Sequence, residues 1–103
     1  MKEYLNESGQ YHRTDGPAIE WNDGTKEWYK NGLYHREDGP AREYSNGTKA
    51  WYINGQNHRE DGPAVEFKDG TKMWYLNGKF YSEQEWQDKV INIKLERLKS
   101  YGN

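Results

Sequence analysis

Asn22-Asp23-Gly24-Thr25-Lys26-Glu27-Trp28-Tyr29-Lys30-Asn31-Gly32 is the stretch that decides the fold. Two turn dipeptides, Asp-Gly and Asn-Gly, bracket a short run that favours strands. Both can supply positive φ at the two central positions of a type I′ hairpin. Taken as two-residue turns, they set the pairing. About Asp23-Gly24, Trp21 faces Lys26, Ile19 faces Trp28 and Ala18 faces Tyr29. About Asn31-Gly32, Trp28 faces His35 and Tyr29 faces Tyr34.

The stretch recurs. Asn46-Gly47-Thr48-Lys49 and Asp69-Gly70-Thr71-Lys72 lead to Trp51-Tyr52 and Trp74-Tyr75, each displaced by 23 residues. His-Arg at 12–13, 35–36 and 58–59 and Asp-Gly-Pro-Ala at 15–18, 38–41 and 61–64 keep the same step. A fixed period of this size marks an array in which each unit buries its faces against its neighbours.

Composition agrees. Leu, Ile, Val and Phe total only 13 of 103 residues, while Trp 5, Tyr 9 and Gly 11 are abundant. Aromatics bury large areas and favour strands, so the chain predicts short strands and tight turns without a thick aliphatic core. The absence of Cys excludes disulfides, thiolate metal sites and a Cys nucleophile. A net charge of −2 argues against electrostatically driven nucleic-acid binding. No stretch has the length and apolarity of a membrane span, and the N-terminus lacks a signal peptide's apolar core. The expectation is a cytoplasmic protein.

The period, with Asp/Asn-Gly-Thr-Lys-x-Trp-Tyr-x-Asn-Gly in each copy, resembles a MORN-type repeat over roughly residues 4–81. The variant, with His-Arg-x-Asp-Gly-Pro-Ala ahead of it, is similar to small repeat proteins of bacteriophages and bacteria. The resemblance implies β-hairpin units stacked into an elongated sheet. The expected fold is therefore mainly β: an elongated antiparallel single-layer sheet of stacked 23-residue hairpin repeats over residues 1–81, a C-terminal capping α-helix at 82–99 and a tail at 100–103.

Ser82-Glu83-Gln84-Glu85 reads as a capping box, with Tyr81 and Trp86 as its hydrophobic staple. The helix has two apolar stripes. Trp86, Val90 and Ile93 suit the end of the sheet; Ile91, Leu95 and Leu98 are left over, for further packing or for a homodimer or partner contact.

Catalysis is not expected. Equivalent His residues in successive units stand on the order of 10–15 Å apart by strand spacing, too far to share a metal. The carboxylates repeat in like environments, and no nucleophile elbow, phosphate loop or dinucleotide fingerprint occurs. No cofactor, metal or catalytic residue is assigned. Positions where the copies differ are candidates for a partner surface: Arg42 in a row with Ile19 and Val65, Ile53 and Tyr34, joined by the aromatic residues Tyr44, Trp28 and Trp51. The expected function is a non-enzymatic protein-binding module. By analogy with phage proteins it is an inhibitor of a bacterial defence protein such as a CRISPR effector. The alternatives are a sponge for a nucleotide-like signalling ligand, and a membrane-surface or scaffold module. Neither nucleic acid nor membrane is an expected partner.

Overall fold

The computed structural model describes residues 1–101; Gly102 and Asn103, the end of the expected tail, lie outside the described residues. Among them are twelve short strands and one helix. The strands are β1 (Lys2–Glu3), β2 (Ile19–Glu20), β3 (Lys26–Glu27), β4 (Tyr29–Lys30), β5 (Leu33–Tyr34), β6 (Arg42–Glu43), β7 (Lys49–Ala50), β8 (Tyr52–Ile53), β9 (Gln56–Asn57), β10 (Val65–Glu66), β11 (Lys72–Leu76) and β12 (Lys79–Tyr81). The helix α1 spans Glu83–Tyr101. The chain is mainly β, and its strand pairs are antiparallel. One open sheet runs β1-β2-β3-β6-β7-β10-β11-β12, with β4–β5 and β8–β9 as separate hairpins and no barrel closure. The molecule measures 45 × 37 × 18 Å.

The two turns differ, which corrects the expected register. At Asn31-Gly32 both residues have positive φ, 49° and 83°, and Tyr29 pairs with Tyr34 as the type I′ reading requires. At Asp23-Gly24 only the glycine is positive, at 95°. Trp21 N–H donates to Thr25 O (2.8 Å), closing a loop of three residues. The cause is Asp23, whose Oδ1 accepts the Thr25 N–H at 2.9 Å in an Asx turn. Asn46 with Thr48 and Asp69 with Thr71 repeat the bond.

One residue of slip changes every cross-strand neighbour in that hairpin. Ile19 lies opposite Glu27 rather than Trp28, and Lys26 opposite Glu20 rather than Trp21. Two rows then cross the sheet. The inner row reads Ile19–Glu27–Arg42–Ala50–Val65–Met73. The other reads Lys2–Glu20–Lys26–Glu43–Lys49–Glu66–Lys72, alternating in charge at every step. Lys26, expected opposite Trp21, stands with Lys49 and Lys72 in this charged row.

Bonds between neighbouring segments recur at 23-residue steps. Trp28 and Trp51 donate their N–H to Ala41 O and Ala64 O, both at 2.7 Å. The turn glycines Gly32, Gly55 and Gly78 donate to Tyr11 O, Tyr34 O and Asn57 O, each at 2.8 Å. Thr25 and Thr48 hydroxyls accept from Ser45 and Lys68 N–H. Ala18, Ala41 and Ala64 are fully buried.

At the C-terminal end the capping box forms: Glu85 N–H donates to Ser82 Oγ, and Ser82 N–H to Glu85 Oε1. Leu76, Trp86 and Val90 make the buried cluster, with Trp74, Tyr81 and Ile93 packed on it. Trp86 lies 4.7 Å from Trp74 and donates its indole N–H to Arg59 O. No helix among the described residues is long and apolar enough to cross a membrane.

The Asx turns make a pH prediction. The Thr25 and Thr71 N–H groups hold the Asp23 and Asp69 carboxyls below the ordinary carboxylate range. A depressed folded-state pKa means the unfolded chain binds protons first. The stabilisation is therefore complete above about pH 4 and is lost as pH falls through the folded pKa. Asn46 fills the equivalent place without titrating. Asp69→Asn is expected to keep the neutral-pH melting temperature and to flatten the acid limb of a pH–stability curve followed by circular dichroism.

Candidate functional site

The three histidines do one structural job. His12, His35 and His58 accept the backbone N–H of Asn31, Asn54 and Asn77 on Nδ1 at 3.0, 3.0 and 2.9 Å. A backbone amide can only donate, so each neutral ring carries its proton on Nε2. Each histidine thus holds the type I′ turn of the following unit. Among the described residues no group of three His, Cys, Asp or Glu is placed to hold a metal ion.

The arginine beside each histidine is also engaged. Arg13, Arg36 and Arg59 donate from Nε to Asp15, Asp38 and Asp61 at 2.9, 2.9 and 2.8 Å. They also donate to the carbonyls of Pro17, Pro40 and Pro63. Their guanidinium carbons lie 4.0, 3.9 and 3.8 Å from the ring centres of Tyr4, Trp28 and Trp51. On the other side, a Cβ built at Gly39 or Gly62 would stand 2.8 or 2.7 Å from the guanidinium, so a larger residue there would push the arginine from its place on the ring. The His-Arg-x-Asp-Gly-Pro motif is therefore an arginine pinned between an aromatic ring and its own turn. Arg36 holds the Asp38 carboxyl below its usual range.

The residues chosen as a partner surface fall into two groups. Arg42, Tyr34 and Tyr44 come together, the guanidinium lying 4.9 and 4.7 Å from the two ring centres. Glu27, which the sequence reading passed over as partner to Arg42, lies at the heart of this cluster. Its side chain is 5% exposed and that of Arg42 26%. Glu27 accepts from the Trp21 indole (2.7 Å) and the Tyr34 hydroxyl (2.9 Å). Arg42 Nε sits 3.1 Å from Glu27 Oε1. Its N–H is not aligned on the oxygen, so the contact is an ion pair without a hydrogen bond. Burial pushes the Tyr34 hydroxyl pKa up, with the Tyr29 and Glu27 contacts adding to it. Tyr11, Tyr29, Tyr34 and Tyr52 run as a ladder of rings 5.2, 4.5 and 4.9 Å apart beside the cluster.

Trp28, Trp51 and Ile53 form the second group and line clefts between the arginine-pinned turns. All three are half-buried. On the helix, Ile91, Leu95 and Leu98 are exposed, while Arg97 reaches back to Glu60 at 2.6 Å. Trp21, Phe67, Leu33 and Phe80 are exposed on the sheet and its hairpins. The signal that links Glu27 to Arg42 is present in the sequence. Positions 27, 50 and 73 read Glu, Ala, Met, and positions 19, 42 and 65 read Ile, Arg, Val, one charge in each otherwise apolar set.

No protein-family model, curated protein or solved structure matches this chain.

Proposed function

We propose that the chain is a non-enzymatic protein-binding module, built as a stacked array of MORN-like 23-residue hairpin units closed by α1. One observation carries this reading: the repeated histidine and arginine side chains and Glu27 are committed to the scaffold. Histidine Nδ1 atoms cap turns, the arginines of the motif are pinned, and Glu27 is held by an indole, a hydroxyl and Arg42. The groups left outward include large apolar ones, among them Trp21, Phe67, Leu33, Phe80, Ile91 and Leu98. Exposed apolar side chains on a rigid frame are the makings of a protein interface. In its specific form the module acts in the bacterial cytoplasm as an antagonist of a defence protein, such as a CRISPR effector. That form follows the resemblance to phage repeat proteins.

The test is affinity capture from a bacterial lysate by the tagged chain. One stoichiometric partner, lost on Phe67→Asp or Leu98→Asp without a change in melting temperature, supports the reading. Calorimetric heat with cyclic or linear nucleotides and no protein captured would contradict it.

A further inference from the structure

We propose that the cleft between the turn at 36–39 and the turn at 58–61 seats an amphipathic helix of a protein partner, one that brings a basic residue to Glu37. Resting on the binding-module reading, this names the partner's chemistry.

The chain itself displays the mode of binding. Helix α1 lies on Trp74, Leu76 and Tyr81, sends its Trp86 indole N–H to Arg59 O, and grips Glu60 with Arg97. Subtracting 23 from each seat residue gives Trp51, Ile53, His58, Arg36 and Glu37. All five line one open cleft of about 750 Å³. The period that built a seat for α1 has built an equivalent set one step earlier, with Ile53 for Leu76 and His58 for Tyr81.

The two copies differ in how far their polar groups are satisfied. Where Arg97 is present, Glu60 is drawn in to 23% exposure and sits 2.8 Å from His58 Nε2. Where no arginine arrives, Glu37 stands 84% exposed and 3.8 Å from His35 Nε2. That nitrogen is buried and has no hydrogen-bond partner. Arg36 O, the counterpart of the carbonyl that takes the Trp86 indole, receives no donor among the described residues. A basic side chain entering the cleft would do for Glu37 and His35 what Arg97 does for Glu60 and His58. A buried donor left unpaired is costly, which favours such a guest over an empty cleft.

The guest's other side is also prepared. Lys94 of α1 lines this cleft. Its helix-surface neighbours three before and four after are Ile91 and Leu98, both exposed. A helix beside α1 would cover this stripe while placing apolar residues on Ile53. Of the cleft's carboxylates, Asp38, Asp61 and Glu60 are paired with Arg36, Arg59 and Arg97, so Glu37, 84% exposed, is the one that selects a basic guest over an acidic one.

The probe is a fluorescein-labelled peptide of residues 82–101, which carries the required stripe and Arg97. It is titrated into the full chain and followed by anisotropy. The expected Kd is on the order of tens of micromolar. Glu37→Arg should weaken it by about tenfold, Arg97→Glu in the peptide should do the same, and the two together should restore it. No binding, or binding indifferent to Glu37→Arg, overturns the proposal. Loss through Glu60→Arg instead means that the peptide displaces α1, and a dimer of the unlabelled chain in sedimentation assigns the cleft to a second copy; either outcome overturns it. Lysate capture that survives Glu37→Arg removes this cleft and leaves the binding-module reading standing.

Discussion

Arg42→Val is expected to destabilise the chain by about 2–3 kcal/mol, and adding Glu27→Ala in the same molecule to return most of that loss. Removing the arginine leaves the Glu27 carboxylate with two hydrogen bonds but no counter-charge, at 5% exposure. Breaking a buried pair costs roughly 3–5 kcal/mol; the quarter exposure of Arg42 places this one near the lower end. The double variant rebuilds the middle of the inner row in the chemistry its own far end uses, Ala50–Val65–Met73. Urea unfolding of the four chains gives the coupling directly. A double variant less stable than either single one would mean that the row does not accept apolar pairs in its middle.

Trp86→Ala carries the other large effect. Trp86 is 8% exposed, packs at a tilt of 50° against Trp74 and donates its indole N–H to Arg59 O, so it joins α1 to both the last hairpin and the last pinned turn. Truncating a buried Trp costs about 3–5 kcal/mol. Helix α1 should lose its seat, with a fall in ellipticity at the helix band and Trp74 emission shifted to the red. Trp86→Phe keeps the ring contact and loses only the hydrogen bond, so it should cost about 1 kcal/mol and leave α1 folded. If alanine and phenylalanine were equally mild, α1 would be held elsewhere.

Much of this was legible in the residues. The turns at Asn31-Gly32, Asn54-Gly55 and Asn77-Gly78, the capping box and the stripe of Trp86, Val90 and Ile93 follow from local chemistry, and the structure has them as local rules place them. The turns at Asp23-Gly24, Asn46-Gly47 and Asp69-Gly70 did not follow, because the Asp or Asn side chain closes an Asx bond onto the backbone N–H two residues on, which the dipeptide alone does not announce. Arg42 was noticeable as a charge among Ile19 and Val65, but its partner Glu27 lies on β3 and Arg42 on β6, a pairing across residues 28–41 that no tight turn announces. The histidines were legible as non-convergent. Their role as acceptors depends on a turn 19 residues onward and could be seen only in three dimensions.

The central claim is that each histidine ring holds the turn 19 residues onward through its Nδ1. The direct measurement is nitrogen-15 NMR of the histidine side chains at neutral pH. All three rings should show the Nε2–H tautomer, with through-hydrogen-bond couplings from Nδ1 of His12, His35 and His58 to the amides of Asn31, Asn54 and Asn77. Rings that exchange tautomers freely, or protons found on Nδ1, would contradict it.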